Sequence, residues 1–299
     1  MIENLIAATY APMNETGALN TTRIEAYSRF LVRNKVSGVF MNGSTGDFTS
    51  LSIEERKQIT LAWAKQKSTK LYLIDHVGDP SLKVAKELAE YASDKVDAIS
   101  ALAPFYFKIK HIDKLIEYCK EISASAPNLP FYYYHIPVLS GADLDMKIFL
   151  EEGIKEIPNL TGIKFSSDNL VDYKYCKDFN KNCTIFFGVD ELFVKSLPLG
   201  GRAWVGSTYN HLAPLYLKIR SLFNEGNAAA AEDLQEKAVQ FVKRLDSKGG
   251  FNGVAKGFMK ILGVDCGPSR FPHTTLSDTE YSQIKKELDS IGLKEFFCV

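Results

Sequence analysis

Eight short apolar runs, each followed by a segment with helical periodicity, leave few folds open to this chain. The runs are LIAAT (5–9), SGVFMN (37–42), LYLIDH (71–76), AISALA (98–103), FYYYHI (131–136), TGIKF (161–165), TIFFGV (184–189) and AWVGS (203–207). Most are near-continuous in apolar residues rather than alternating, the pattern of parallel strands covered on both faces. The intervening segments carry helix starts. Thr22 with Glu25 and Ser52 with Glu55 match the capping box, and Asp79 before Pro80 offers an N-cap with a first-turn proline. Leu82, Ala85, Leu88 and Ala92 recur at helical spacing, as do Leu212, Leu215, Ile219 and Leu222.

A run of β-α units admits a closed barrel or a doubly wound sheet. A dinucleotide-binding doubly wound sheet would carry G-x-G-x-x-G after its first strand, and TYAPMNETG is not that sequence. The count of eight predicts a (β/α)₈ barrel over residues 1–226. Residues 227–299 are expected to form a C-terminal helical extension packed on the barrel, with helices at 227–247, 253–263 and 278–291.

The 36 basic and 36 acidic residues balance to a net charge of zero, which favours neither nucleic acid nor an anionic membrane as partner. A small molecule is the expected substrate. The N-terminal MIENLIAATYAPM lacks the basic and apolar regions of a signal peptide, and no run approaches the ~20 apolar residues of a membrane span. Five scattered cysteines without a C-x-x-C pair suit reduced thiols in a cytoplasmic protein. The five histidines form no H-E-x-x-H or H-x-H pair, so neither a metal nor an organic cofactor is expected.

In such a barrel, chemistry sits at the C-terminal ends of the strands. That rule selects Gly43-Ser44-Thr45-Gly46, Tyr134, Lys164, Asp190-Glu191 and Gly206-Ser207. Lys164 lies in T-G-I-K-F, where burial disfavours the ammonium form. A neutral amine there is a nucleophile for a carbonyl carbon. The competing reading ends the strand one residue earlier and lets Lys164 snorkel to solvent. Period-two alternation puts Tyr132 and Tyr134 on one strand face and Tyr133 and His135 on the other. The tyrosines are either packing residues or, for Tyr134, a general acid/base sharing a substrate with Lys164 from the adjacent strand. The 43–46 segment is a tight turn or a cradle of N–H groups and hydroxyls for a carboxylate. Asp190 and Glu191 are helix-start charges or acceptors for a polyol. His135 is expected to be packed.

Taken together, G-S-T-G-D (43–47), F-Y-Y-Y-H-I-P-V-L-S-G (131–141), G-I-K-F-S (162–166), G-V-D-E (188–191) and G-S-T-Y-N (206–210) resemble the family that contains N-acetylneuraminate lyase and dihydrodipicolinate synthase. The motifs stand in order across essentially the whole chain, and Y-Y-Y-H-I-P is closer to the animal-type wording. The resemblance implies a class I aldolase that reversibly cleaves N-acetylneuraminate to N-acetylmannosamine and pyruvate. It implies Lys164 as Schiff-base lysine and Tyr134 as proton-transfer residue. Ser44 and Thr45 would hold the keto-acid carboxylate, while Ser166, Gly188, Asp190, Glu191 and Ser207 would line the sugar pocket. Tyr106 matches an aromatic placed near a neighbouring subunit's site, and the family is typically homotetrameric. Dihydrodipicolinate synthases carry arginine two residues after the Y-x-x-P proline. Leu139 stands there and cannot bind a second carboxylate in that way. Asp47 replaces the usual glutamate of G-x-x-G-E. A lyase for other 2-keto-3-deoxy sugar acids, or a non-catalytic binding barrel, remain as alternatives.

Overall fold

The structure, a computed structural model, describes residues 4–299. The first three residues of the predicted 1–226 barrel therefore lie outside the described part. In chain order the elements begin with β1 (Asn4–Ala8), α1 (Ile24–Arg33), β2 (Gly38–Met41), α2 (Ile53–Ala64), β3 (Tyr72–His76), α3 (Leu82–Ala92), β4 (Ala98–Leu102) and α4 (Ile112–Ser123). They continue with β5 (Phe131–His135), α5 (Pro137–Ser140), α6 (Met146–Glu156), β6 (Leu160–Phe165), α7 (Leu170–Phe179), β7 (Thr184–Phe187), α8 (Phe193–Ser196) and β8 (Ala203–Gly206). Four helices follow: α9 (Tyr209–Asn224), α10 (Ala228–Asp246), α11 (Phe251–Phe258) and α12 (Asp278–Ser290). Each of the eight expected runs is a strand, and all pair in parallel in sequence order. Pairing of β1 with β8 closes the (β/α)₈ barrel, which leaves no sheet edge unpaired.

Alternation along the strands sorts the core into two layers. Ile6, Phe40, Ile74, Tyr132, Tyr134, Phe186 and Val205 fill the barrel interior. Leu5, Val39, Leu73, Tyr133, Ile163, Phe187 and Trp204 face outward and pack with helix residues such as Tyr27, Leu88, Phe149 and Leu215. Both faces are dry, which is why the strands read as continuous apolar runs. Each fully buried large side chain contributes about 1.5–3 kcal/mol, so the outward layer is the main adhesive between sheet and helices.

Ser52 and Glu55 form the expected reciprocal capping box. Two other expected caps do not form. Thr21–Arg23 is a short 3₁₀ turn and Arg23 sits at the N-cap of α1, while the Thr22 hydroxyl donates to Asn20 Oδ1 at 2.6 Å. Asp79 precedes the N-cap by two residues; its carboxylate accepts from the Ser81 N–H, and α3 begins at Leu82.

The register of β5 against β6 has one irregularity that matters for function. Phe131 pairs with Leu160, but Tyr132 pairs with Gly162, so Thr161 is an extra residue on β6. After this bulge Tyr134 lies opposite Lys164. Without it Tyr134 would pair with Ile163, and the one-residue slip would turn Lys164 out of the barrel interior toward the helix layer.

After the eighth strand, α10 packs along α9 and against residues 190–192, and α11 packs on α10. Gln235 of α10 donates through Nε2 to the Asp190 carbonyl at 3.1 Å and accepts the Val194 N–H at 2.9 Å.

Candidate active site

The C-terminal mouth of the barrel holds a cavity of about 410 Å³, lined by Ser44, Thr45, Tyr134, Lys164, Ser166, Gly188, Asp190, Glu191 and Ser207. Nine of the ten expected site residues therefore meet around one space. The tenth, Tyr106, is elsewhere. It stands 79% exposed in the loop after β4, its ring edge-on to the exposed Phe107.

Lys164 does not snorkel. It is 5% exposed, with Nζ 3.4 Å from the Tyr134 ring centroid and 4.4 Å from that of Phe40. Burial holds its pKa below the ordinary lysine value, while attraction to Tyr134 and Asp190 opposes the shift. Burial thus makes the ammonium ion less favoured here than on a solvated lysine. The Tyr134 hydroxyl stands 3.4 Å from Ser44 Oγ, which links it to the loop after β2.

That loop is a hydrogen-bonded turn. The Asp47 N–H donates to the Ser44 carbonyl at 3.0 Å and the Phe48 N–H to Gly43 at 3.4 Å. The N–H groups of Ser44 and Thr45 are not used in these bonds, and both residues face the cavity. Asp47, at φ 52°, accepts from Ser50 Oγ at 2.5 Å and lies 3.4 Å from His273 Nε2. Its carboxylate thus ties the loop to Ser50 and sits beside His273.

Asp190 is buried and held. Its Oδ2 accepts from the Thr208 N–H at 2.9 Å and from Thr208 Oγ1 at 2.6 Å, and burial raises its pKa. A Cβ on Gly206 would overlap this carboxylate, so only glycine fits beneath it. Glu191, raised by burial and by the Asp190 charge, shares the cavity wall. Ser166 Oγ is buried without a hydrogen-bond partner among the described residues, and a Cβ on Gly188 would strike it. An unpaired hydroxyl beside two carboxylates suits a ligand rich in hydroxyl groups. His135 is packed between the rings of Tyr133 and Phe165, and burial lowers its pKa to about 4.

Sequence reasoning missed part of the wall. Phe251, Asn252 and His273 from the C-terminal region line the same cavity, as does Leu139, 60% exposed at its rim. Asn252 Nδ2 donates to the Ser44 carbonyl at 3.3 Å. Gly249-Gly250 before Phe251 announces a break in helix but not where the next helix points. Nothing local marks His273.

A model of the dihydrodipicolinate synthetase family matches residues 1–291. The chain is 36% identical over 301 residues to an N-acetylneuraminate lyase of Rattus norvegicus, covering 99% of this chain and 94% of that one. It is 38% identical over 277 residues to one of Danio rerio, covering 91% and 90%. Among solved structures it resembles the N-acetylneuraminate lyase of Proteus mirabilis, with a TM-score of 0.92 and 34% identity over 97% of this chain and 99% of that one. It also resembles a Ruminococcus gnavus sialic acid aldolase carrying a catalytic lysine mutation, with a TM-score of 0.90 and 31% identity over 98% and 97%. With the barrel, the cavity and the five motifs in register, the conclusion is direct: the chain belongs to the dihydrodipicolinate synthetase family.

Proposed function

We propose that this chain is a Schiff-base aldolase that reversibly cleaves N-acetylneuraminate to N-acetylmannosamine and pyruvate. The observation that carries the reading is the buried Lys164 amine set across from Tyr134 in one cavity with Ser44 and Thr45. The relatives' activity, with the buried Asp190 and half-buried Glu191 at the far wall, supports the sugar half.

Lys164 Nζ adds to C2 of the open-chain keto acid, and loss of water leaves a protonated imine. The imine takes up the electron pair as C3–C4 breaks, so no free carbanion forms. Tyr134 removes the proton from the C4 hydroxyl and N-acetylmannosamine departs as the aldehyde. Protonation of the enamine at C3 and hydrolysis return pyruvate and the amine. Ser44 and Thr45 hold the carboxylate, and Ser166, Gly188, Asp190, Glu191 and Ser207 meet the hydroxylated tail. These steps require neither a metal nor an organic cofactor. Residues 227–299 act as an extension that completes the cavity wall.

The exposed Tyr106–Phe107 pair supports a homotetramer in which Tyr106 approaches a neighbouring subunit's cavity. Five buried, unpaired cysteines suit a reducing cytoplasmic setting.

Borohydride added with pyruvate should leave a reduced adduct on Lys164 by peptide mass mapping, and Lys164→Met should abolish it. A folded wild-type protein without adduct overturns the proposal. A coupled pyruvate-release assay comparing N-acetylneuraminate with 2-keto-3-deoxy sugar acids decides the substrate; faster turnover of the latter would replace the sugar assignment. Light scattering on the intact protein reads the assembly.

A further inference from the structure

Beneath the 43–47 loop lies a buried polar cluster that the reaction steps do not use. Asn42, the residue before the loop, is buried and non-glycine yet adopts the left-handed φ of 55°. Asparagine tolerates this conformation better than most L-residues, but at a buried position its surroundings must fix it. Here they do. Its Nδ2 donates to Asp75 Oδ1 at 2.8 Å and reaches Thr60 Oγ1 and the Arg56 carbonyl at 3.2 Å. Its carbonyl, the last before Gly43-Ser44, lies 2.8 Å from Nδ1 of His76 at the end of β3.

His76 is fully buried and its two nitrogens have different partners. The Leu102 N–H can only donate, and it points at Nε2 at 3.3 Å. The imidazole proton is therefore assigned to Nδ1, where it is donated to the Asn42 carbonyl. The same ring meets Tyr134 edge-on at 5.9 Å between centroids and packs on Phe48 at 4.8 Å, just after the loop. One side chain thus touches the residue before the carboxylate loop, the residue after it, and the proton-transfer tyrosine.

We propose that His76 is a positioning residue: its Nδ1–H bond to the Asn42 carbonyl fixes the left-handed entry that turns the Ser44 and Thr45 donors toward the keto-acid carboxylate. This rests on the reading of 43–46 as the carboxylate cradle. The tail subsite around Asp190 and Ser207 is anchored through Thr208 and α10, so the effect falls on the pyruvate end alone.

Two amide substitutions separate the two nitrogens. His76→Asn can place an amide N–H near the Nδ1 position and keep the bond to Asn42. His76→Gln reaches the Nε2 side and loses it. In the condensation direction His76→Gln should raise the pyruvate half-saturation about ten-fold, the scale of one well-placed hydrogen bond. The half-saturation for N-acetylmannosamine should stay within two-fold. His76→Asn should remain near wild type for pyruvate. Near-UV circular dichroism checks folding, and the saturating amplitude of the borohydride adduct counts competent sites. Fewer competent sites with unchanged pyruvate half-saturation in both variants would mean a merely structural role and overturns the proposal, as would equal shifts in both. Ser44→Ala with Thr45→Val serves as the control. If that double variant leaves pyruvate half-saturation unchanged, the cradle reading falls and the inference with it. If it weakens pyruvate while His76→Gln does not, the inference alone falls.

Discussion

Tyr134 and Lys164 are held face to face by the register of β5 and β6, with the lysine nitrogen 3.4 Å from the centre of the phenol ring. Strand register is set by backbone hydrogen bonds and by which face is buried, so the pair does not depend on a flexible loop for its alignment. The nitrogen sits against the ring, and the hydroxyl stays close enough to interact with it. The ring excludes water from the amine, and the hydroxyl faces Ser44 and the cavity.

Because the ring alone makes the close contact with the amine, Tyr134→Phe should retain imine formation and lose proton transfer. The ring stays against the amine, so the pyruvate–borohydride adduct on Lys164 should form at near wild-type yield. Turnover of N-acetylneuraminate should fall about 10²- to 10⁴-fold, the usual contribution of a positioned acid/base. Loss of the adduct together with turnover would show that the hydroxyl is needed for the imine itself.

Burial lowers the Lys164 pKa, and a lower pKa means more neutral amine at any given pH. The rate of imine formation at subsaturating pyruvate, read by rapid borohydride quench, should rise with pH and level off with a midpoint below the ordinary 10.5. A midpoint at or above that value would mean that water reaches the nitrogen in solution.

Gly206→Ala should act through Asp190. The added methyl overlaps a carboxylate pinned by two Thr208 bonds, and overpacking of this kind costs about 1–3 kcal/mol. Chemical denaturation should show that loss, and the KM for N-acetylneuraminate should rise while the half-saturation for pyruvate adduct formation stays near wild type. An unchanged sugar KM would remove Asp190 from the sugar wall.

His211 offers a pH test of the C-terminal packing. It is buried, with Nε2 2.9 Å from the Ala255 carbonyl of α11, and its pKa falls from 6.5 to about 4. The unfolded chain takes up this proton at higher pH than the fold does. The stability is therefore fully present above pH 6.5 and is lost as pH falls toward 4. In urea titrations across that window, His211→Gln should have a shallower dependence of unfolding free energy on pH. The difference is at most one proton, about 1.4 kcal/mol per pH unit. Parallel curves for the two proteins would place a proton on His211 in the fold.

The barrel was legible because burial on two faces writes each strand as an unbroken apolar run. Lys164 was legible for the same reason, as a charge where such a run leaves no water. The bulge at Thr161 was not, since an extra residue changes pairing without changing composition. The Thr22 cap misled because residues 21–23 wind as a 3₁₀ turn that moves the start of α1 to Ile24, a shift that spacing does not reveal. Phe251, Asn252 and His273 were invisible as site residues: their role depends on where α10 and α11 dock, and that is decided by contacts more than two hundred residues apart for Asn252 and Ser44.

The docking of α10 and α11 also imposes an order of assembly. The eight strands and Lys164 are complete by Gly206, yet Gln235 has not then clasped the Asp190 turn, and Phe251, Asn252 and His273 have not walled the mouth. A partly synthesised or clipped chain that holds only the barrel carries its amine in an unfinished vessel. The wall formed by Phe251, Asn252 and His273 is thereby absent until the helices after residue 226 have docked.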